Sequence, residues 1–320
     1  MSGLTAVSVI CVAYNQEAYI REAIESFLMQ KTSFTFEILI HDDASKDRTP
    51  DIIREYEKKY PDIVKPIYEA ENQYSKKVDI IQEIMISKVR GKYIALCEGD
   101  DYWTDPLKLQ RQYEVLEENQ GINICAHCAE CVDAETKMAL YQIKPAQEDT
   151  VFTVEQVIEG GGGFVATNSL FYRTEIEYKI PDFRKMLSMD WTCQIHGSLK
   201  GGMLYLGRSM SAYRIQAKGS WTQSMSKDLK KLQMYYNLKE LVYKELDKET
   251  GYRFSKSIEK RIRMDKLYIL QVTGRYRDLK REPYIEIYRA LPLKQKISTN
   301  LRIYFPILFK IRERVKDVRK

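Results

Sequence analysis

Hydrophobic and polar positions alternate with two different periods along the first 135 residues. Short continuous apolar runs are typical of strands that are covered on both faces. Between them lie longer segments in which apolar residues recur at helical spacing, such as Ile20, Ile24 and Phe27. The predicted strands span 7–14, 36–43, 63–69, 92–101 and 122–133. The predicted helices begin after Asn15 as a cap, at Thr49-Pro50, at Val78 and at Asp105-Pro106.

This alternation of strands and helices predicts an α/β fold, with a Rossmann-like, mainly parallel sheet flanked by helices. Residues 136–165 are predicted as a loop, made flexible by the four glycines at 160–163. Short strands and one helix around 186–200 follow, and then a region whose apolar residues keep helical spacing. The predicted parts are one domain, 1–222, with a nucleotide-binding half (1–135) and an acceptor-side half (136–222), and a helical C-terminal region, 223–320.

The composition is that of a globular protein, with 44% hydrophobic and 30% charged residues. No run of about 18 apolar residues and no secretory leader is present, so we expect a cytoplasmic protein with six reduced cysteines. The net charge of +6 comes from residues 291–320, which hold nine Lys or Arg against two acids. Since the rest of the chain has no basic excess, no nucleic acid is expected as a partner.

The basic C-terminal tail, 289–320, interleaves Lys and Arg with Leu, Ile, Tyr and Phe. This pattern predicts a surface helix in contact with an anionic membrane, which would make the protein peripheral on the cytoplasmic face. Ordinary packing of the tail on the domain is the alternative. A homo-oligomer is left open, because no sequence feature addresses it.

Polar residues follow three of the predicted strands: Tyr14-Asn15, the group 41–43 and the group 98–101. Ligands of such sheets bind beyond the carboxyl ends of the strands, so we expect these groups to meet in space. The last group has three carboxylates, Glu98, Asp100 and Asp101, which are costly to bury without a positive charge. Mg²⁺ or Mn²⁺, held by one or two carboxylates and by phosphate oxygens, fits this chemistry. Helix capping or exposure to solvent is the alternative.

Two other nucleotide-binding patterns are absent. The turn after the first strand, 13–19, contains no glycine, so neither the dinucleotide fingerprint nor a P-loop is present. A nucleotide would therefore be held by side chains, Tyr stacking and metal. The spacing of Cys125, Cys128 and Cys131 around His127 suggests zinc, but strand alternation would place Cys125 and Cys128 on opposite faces. Buried thiols acting as small hydrophobic residues are favoured.

Three segments, 7–30, 36–49 and 91–112, resemble the family 2 glycosyltransferases of the GT-A fold in order and spacing. The resemblance covers roughly residues 5–222. It implies transfer of a sugar from a nucleotide diphosphate donor, expected to be a UDP-sugar, with inversion at the anomeric carbon. The implied acceptor is a hydroxyl of a glycan or lipid-linked glycan in surface polysaccharide synthesis, and the implied cofactor is Mn²⁺ or Mg²⁺, bound at a motif of the DXD type.

The resemblance also implies roles for single residues. Tyr14 would stack on the base, Asp42 would accept a hydrogen bond from a base N–H, and Asp101 would be the principal metal ligand. Asp100 would face the ribose or the metal. The implied nucleotide-binding residues are Ala13, Tyr14, Asn15, Asp42, Asp43, Lys76, Asp100 and Arg214. Lys77 could replace Lys76, and a solvated position is the alternative for both.

Inversion requires a base that takes the proton of the acceptor hydroxyl, and the resemblance places Asp190 in this role. A plain helix cap is the alternative for Asp190. Tyr213, Arg214 and Trp221 match a family segment near the donor diphosphate. Gln216 stands where the family commonly has His, and a neutral amide cannot bind metal as an imidazole does.

Two other functions are consistent with the fold. A sugar nucleotidyltransferase would need a Gly-rich loop with a basic residue after the first strand, which residues 13–19 lack. A non-catalytic nucleotide-sugar binding module would bind nucleotide without turnover. The presence of Asp190 together with Asp101 argues against the second alternative.

Overall fold

The structure, a computed structural model, describes residues 4–218, 225 and 228–305. Its centre is a sheet of ten strands. The strands are β1 Val7–Ala13, β2 Phe36–Asp42, β3 Val64–Tyr68, β4 Tyr93–Leu96, β5 Tyr102–Trp103, β6 Ile124–Asp133, β7 Ala139–Ile143, β8 Thr150–Phe152, β9 Phe171–Arg173 and β10 Met203–Ile215. Their spatial order is β3-β2-β1-β4-β9-β6-β10-β5, with β7 beside β6 and β8 beside β10.

The α/β prediction is confirmed, and the sheet is mixed. Strands β3, β2, β1 and β4 run parallel to one another, and β6 runs parallel to β10. The short strand β9 lies antiparallel between β4 and β6, so the fifth predicted strand is not a direct neighbour of the fourth. Along β1, Val9 and Cys11 pack into one core and Ile10 into the other, as expected for a strand covered on both faces.

Helices cover both faces of the sheet and continue beyond it. They are α1 Ile20–Leu28, α2 Thr49–Lys59, α3 Lys108–Glu118, α4 Val154–Gly160, α5 Asp182–Met186, α6 Asp190–Ser198, α7 Leu229–Glu249, α8 Ser255–Val272, α9 Ile285–Ala290 and α10 Leu293–Tyr304. Helix α7 contacts α5 and α8, and α8 contacts α4. The predicted helical C-terminal region is confirmed over the described residues. The predicted boundary at 222 lies outside them and stays a prediction.

Three local predictions were wrong. Residues 78–89 form a π-helical turn, Ile80–Met85, and a 3-10 turn in place of an α-helix. Ile80 and Met85 are both buried, and a spacing of five residues is the one that a π turn aligns. Residues 136–165 contain β7, β8 and α4; the signal was a capping box, Thr153 with Gln156. Asn15 does not cap α1: its Oδ1 accepts from Lys46 N–H at 2.7 Å.

Among the described residues, no helix combines the length and the apolar character needed to span a bilayer. The basic tail is described only as far as Phe305, within and just after α10. Residues 306–320, which carry most of the predicted membrane-binding charges, lie outside the described part of the chain.

Candidate active site

The ends of β2 and β4 meet at the end of β1, which lies between them. Ala13 pairs with Asp42 across the strands, and Ala13 O accepts from Asp43 N–H at 3.0 Å. On the other side, Val12 O accepts from Gly99 N–H at 3.0 Å. The prediction that the two acidic groups meet in space is therefore confirmed.

Gly99 lets the loop after β4 lie directly against the start of α1. A Cβ atom at Gly99 would lie 2.9 Å from Ile20 Cδ1 and would also overlap with the side chain of Gln16. A larger residue would require the side chains of Gln16 and Ile20 to shift. Glycine at this position therefore allows close packing beside Glu98 and Asp100.

The two carboxylates at the end of β2 have different surroundings. Asp43 is 1% exposed, and its oxygens accept from the backbone N–H groups of Gln73, at 2.6 Å, and Tyr74, at 3.1 Å. Asp42 is 3% exposed, and within the described structure its Oδ1 has no hydrogen-bond partner. Burial raises the pKa of Asp42, and hydrogen bonds from Ser45 oppose this shift. Asp43 holds a loop, whereas Asp42 offers a free acceptor.

The predicted nucleobase residues lie around this strand end. Tyr14 is 44% exposed at the end of β1, whereas Ala13 is buried against α1. Asn15 bonds to the 45–46 turn that follows β2. Lys76 lies on the loop that Asp43 holds, and its ammonium pairs with Glu71. The roles of these residues toward a nucleotide stay predictions.

Asp101, at the end of β4, is tied to β10. It is 2% exposed; its Oδ1 accepts from Arg214 N–H at 2.8 Å and its Oδ2 from Asn168 Nδ2 at 2.9 Å. Asn168 Nδ2 also donates to Ala212 O at 3.0 Å. The metal-ligand role of Asp101 stays a prediction, but its burial and its two protein donors are typical of a carboxylate that holds strands together.

Glu98 and Asp100 differ from Asp101 because their side chains retain access to solvent. Glu98 is exposed, but neighbouring groups still remove part of its hydration; this desolvation raises its pKa to about 8, helped by the charges of Asp100 and then Asp190. Burial also raises the pKa of Asp100, against the opposing effect of its own backbone N–H and of Arg214. The charge of Arg214 thus offsets part of the charge of Asp100, whereas the neighbouring charges that act on Glu98 are negative.

Arg214 makes several contacts with the protein beside the residues that follow β4. It is 3% exposed, forms an ion pair with Glu22 and donates to the backbone oxygen of Asp100. Its guanidinium carbon lies 5.0 Å from the ring centroid of Tyr19 and 4.5 Å from that of Tyr102. Its role toward a diphosphate stays a prediction.

The family segment around Arg214 is described in part. Tyr213 lies in β10, and Gln216 follows it as an exposed residue with a positive φ of 66°. Trp221, also part of the predicted match, lies outside the described residues. The consequence of an amide at Gln216 therefore stays a prediction.

Asp190 is the first residue of α6 and is half-buried. Its Oδ2 accepts from Thr167 Oγ1 at 2.8 Å, and its Oδ1 accepts from Trp191 N–H at 2.7 Å. Burial raises the pKa of Asp190; these two donors and the charge of Lys239 oppose the shift. Asp190 lies near enough to Glu98 for its charge to help raise the pKa of Glu98. The space between Asp190 and the residues that follow β4 is called the cleft below.

Two consecutive residues that sequence reasoning missed connect the two sides of this cleft. Thr167 holds Asp190, and Asn168 holds Asp101. Asn168 is fully buried, and its Oδ1 accepts from Ser211 Oγ at 2.7 Å. The available signal was weak: a short polar run after the glycines at 160–163.

The donor set fits a divalent cation that is shared with a ligand. Among the described residues, no group of three His, Cys, Asp or Glu side chains could hold a metal by itself. Mg²⁺ and Mn²⁺ at phosphate sites need only one or two protein carboxylates. Glu98 and Asp100, both accessible to solvent, meet that requirement.

The cysteines of β6 are divided between the two faces of the sheet. Cys125 packs into one core and Cys128 into the other, so they occupy opposite faces of the sheet as predicted. Both are buried free thiols, and burial raises their pKa. These two thiols therefore pack as core residues on separate faces.

Proteins of known sequence resemble most of the described region. A protein of Mycobacterium bovis is 36% identical over 216 residues, 67% of this chain and 60% of that protein. A glycosyltransferase of Nostoc is 28% identical over 226 residues, 69% of this chain and 68% of its own. TuaG of Bacillus subtilis, named as a glycosyltransferase of teichuronic acid biosynthesis, is 33% identical over 112 residues, 35% of this chain and 42% of TuaG. The chain spans about 60% of the length of the mycobacterial relative.

Solved structures share the fold at low identity. S. aureus TarS 1–349 in complex with UDP has a TM-score of 0.58 at 15% identity, covering 91% of this chain and 77% of that one. The mannosyltransferase PcManGT from Pyrobaculum calidifontis, in complex with GDP-Man and Mn²⁺, has a TM-score of 0.53 at 12% identity, covering 94% and 81%. The model of the family described as glycosyl transferase family 2 matches residues 8–180, more than half of the chain. The chain therefore belongs to glycosyl transferase family 2.

Proposed function

We propose that the protein transfers a sugar from a nucleotide diphosphate sugar to a hydroxyl of a glycan or lipid-linked acceptor, with inversion. One observation carries the proposal: Thr167 binds the half-buried carboxylate of Asp190, and its neighbour Asn168 binds Asp101, so two consecutive residues hold Asp190 near the carboxylates that follow β4. A base on one side and a cation-binding pair on the other are what an in-line displacement at an anomeric carbon requires.

The donor would lie across the ends of β1, β2 and β4. Asp42 Oδ1, buried and unpaired in the described structure, would accept from a base N–H, and the exposed ring of Tyr14 would stack on the base. Uracil and guanine both offer such an N–H. We favour uridine, because TarS has been solved with UDP-GlcNAc, and PcManGT, solved with GDP-Man, makes guanosine the alternative.

Glu98 and Asp100 would hold the divalent cation that family 2 enzymes of this fold commonly use. When bound, that cation would neutralise the diphosphate and stabilise its departure. Asp190 would take the proton of the acceptor hydroxyl, and its raised pKa suits this role because it makes the carboxylate more basic. Arg214 would act by fixing the backbone at Asp100.

A panel of nucleotide sugars, incubated with Mn²⁺ or Mg²⁺ in the absence of acceptor, tests this proposal through release of nucleoside diphosphate. We expect release from one donor, and a loss of about 100- to 10,000-fold in Asp190→Asn, the size of a general-base contribution. Asp182→Asn, a change at an exposed carboxylate of α5, is the matched control. Nucleotide binding without release by the wild type and without any acceptor-dependent transfer would favour a binding module. Pyrophosphate release from UTP and a sugar 1-phosphate would favour a nucleotidyltransferase.

We further propose that α10 contacts an anionic membrane surface, which would bring the enzyme to a lipid-linked acceptor. Thr299 and Ile303 face the protein, but a second apolar face of the same helix is exposed. Lys294 and Arg302 lie beside that face. The exposed apolar residues are Leu293 (74%), Ile297 (51%), Leu301 (40%) and Tyr304 (63%).

Sedimentation with vesicles tests this contact. We expect binding to vesicles that contain phosphatidylglycerol and none to pure phosphatidylcholine. Ile297→Glu with Leu301→Glu should weaken binding by about 10-fold or more, because each apolar side chain contributes ~1.5–3 kcal/mol when it is buried. Met234→Glu, at an apolar residue of α7 that is 72% exposed, is the control. Equal binding by all variants would contradict a role for α10.

A further inference from the structure

Helices α7 and α8 reach the candidate active site through a buried tryptophan, Trp191, which directly follows Asp190. Trp191 is 1% exposed. Its Nε1–H donates to Tyr235 Oη at 3.1 Å, and its ring centroid lies 4.9 Å from that of Tyr243. The start of α6 is therefore anchored to residues that lie outside the part of the chain matched by the family model, 8–180.

A buried lysine of α7 lies against the same tryptophan. Lys239 is 4% exposed; its Nζ lies 5.2 Å from the ring centroid of Trp191 and 3.1 Å from Asp265 Oδ2. Burial lowers the pKa of Lys239, and the charge of Asp265 opposes this shift. Lys239 and Arg261 share the carboxylate of Asp265, which is 6% exposed. Lys239 therefore balances a buried negative charge and also packs on Trp191.

The same group of side chains holds the glycine turn on the other side of Trp191. Arg261 of α8 forms an ion pair with Asp265, and its Nη1 donates to the backbone oxygens of Glu159, at 3.1 Å, and Gly160, at 3.3 Å. A Cβ atom at Gly162 would lie 3.6 Å from Trp191 Cδ1. The turn thus packs on Trp191, and Arg261 holds the two residues that lead into it, Glu159 and Gly160.

We propose that Tyr235 and Lys239 are positioning residues, which hold Asp190 at the acceptor side of the cleft through Trp191. Thr167 fixes the carboxylate from one side, and the anchored indole fixes the backbone of the same helix turn from the other. The C-terminal helical region thereby completes the site built by the sheet. This inference rests on the proposed function, since it assumes that Asp190 acts as the base.

Tyr235→Phe tests the inference, because it removes the hydroxyl that Trp191 Nε1–H donates to and keeps the ring. We expect kcat for donor hydrolysis to fall by about 10-fold, while the donor KM and the Kd for UDP stay at wild-type values, since small displacements of a reacting group reduce rate more than binding. Lys239→Met should lower kcat in the same way and should also lower the Tm, because it removes one of the two cations that pair with the buried carboxylate of Asp265.

Tyr288→Phe is the matched control. It removes a comparable hydroxyl in the C-terminal region, where Tyr288 Oη donates to Asn300 Oδ1 at 3.0 Å, remote from Trp191. We expect wild-type kcat in this variant. Amide hydrogen exchange gives a readout that does not depend on activity: exchange in 187–192 should become faster in Tyr235→Phe and stay unchanged in Tyr288→Phe.

The outcomes separate the inference from the proposed function. Unchanged kcat and unchanged exchange in Tyr235→Phe would overturn the positioning role. So would an equal loss in Tyr288→Phe, because it would indicate general destabilisation. A wild-type protein that turns over no donor, with or without acceptor, would refute the proposed function, and the exchange measurement would still decide whether Tyr235 orders the start of α6.

Discussion

The acidic groups after β2 and β4 each combine a buried, hydrogen-bonded carboxylate with one that keeps an unpaired oxygen or access to solvent. In each group the most strongly bonded carboxylate is almost fully buried and accepts two hydrogen bonds from the protein: Asp43 from the 73–74 loop, and Asp101 from Arg214 and Asn168. Its neighbours keep a free oxygen or access to the cleft, as Asp42 and Asp100 do. Adjacent acids at a strand end are therefore not equivalent.

The difference between the two groups is their electrostatic balance. In the β2 group, hydrogen bonds from Ser45 partly offset the burial of Asp42. In the β4 group, Glu98 and Asp100 repel each other, and the charge of Asp190 adds to the effect on Glu98. The first arrangement suits a neutral N–H donor, and the second suits a cation. A single motif of carboxylates can thus form two different kinds of subsite.

Replacing Asp100 or Asp101 singly by Asn should give the largest effects, one on activity and the other on stability. Asp100→Asn should lower metal-dependent kcat/KM by about 100-fold or more with an unchanged Tm, because a metal contact to a phosphate contributes several kcal/mol. Asp101→Asn should lower the free energy of unfolding by about 1–3 kcal/mol, since its new amide would face the amide of Asn168. Activity assays and urea unfolding measure the two effects.

The opposite result would break the comparison. If Asp101→Asn abolished metal dependence at wild-type stability and Asp100→Asn did not, the metal-ligand role predicted for Asp101 from the sequence would stand. The structural division between buried and accessible acids would then not predict function at this strand end.

Replacing Asp42 or Asp43 singly by Asn should again affect ligand binding in one variant and stability in the other, with smaller changes. Asp42→Asn should weaken UDP binding by about 10-fold, because a hydrogen bond to a charged group contributes ~1.5–3 kcal/mol. Asp43→Asn should act on stability, since it leaves one backbone N–H of the 73–74 loop without its acceptor. Calorimetric titration with UDP, and thermal unfolding of each variant, separate the two. A Kd for UDP that rises only in Asp43→Asn would contradict the assignment of Asp42.

Much of this arrangement could be predicted from the sequence, because it follows from local pattern. Apolar runs gave β1, β2 and β4, and parallel pairing brought Asp42 and Glu98 to one edge of the sheet. The division of roles within each acidic group could not be predicted. It depends on donors that are remote in the chain, such as Asn168 and the backbone of Arg214, and no local pattern identifies such partners.

The acceptor side was predictable only as a single residue. Asp190 stood out by its context, but its support by Thr167, and through Trp191 by Tyr235, depends on tertiary packing between segments with no sequence signal. The short strand β9 was missed for a related reason. Three residues between longer elements give too little periodicity to identify, although β9 sets the distance between β4 and β6.

The pH dependence of stability gives the smallest effect and addresses the electrostatic difference directly. Burial and the neighbouring charges raise the pKa of Glu98 from 4.5 to about 8. Between these values the folded protein holds a proton that the unfolded chain releases, so stability falls as pH rises from about 5 to 8 and levels off above the folded pKa. Three histidines, His41, His127 and His196, have lowered pKa values and act in the opposite direction below about pH 6.5. The effect of Glu98 is therefore measured as a difference: relative to Glu98→Gln, the Tm of the metal-free wild type should fall as pH rises across this range. Glu114→Gln, at an exposed glutamate of α3, should behave as wild type.

Mn²⁺ with UDP should raise the Tm more at pH 8 than at pH 5, because ionised carboxylates bind the cation and protonated ones do not. If the difference in Tm between the wild type and Glu98→Gln stayed the same from pH 5 to pH 8, the folded protein would hold no extra proton on Glu98, and the contrast with the β2 group would disappear.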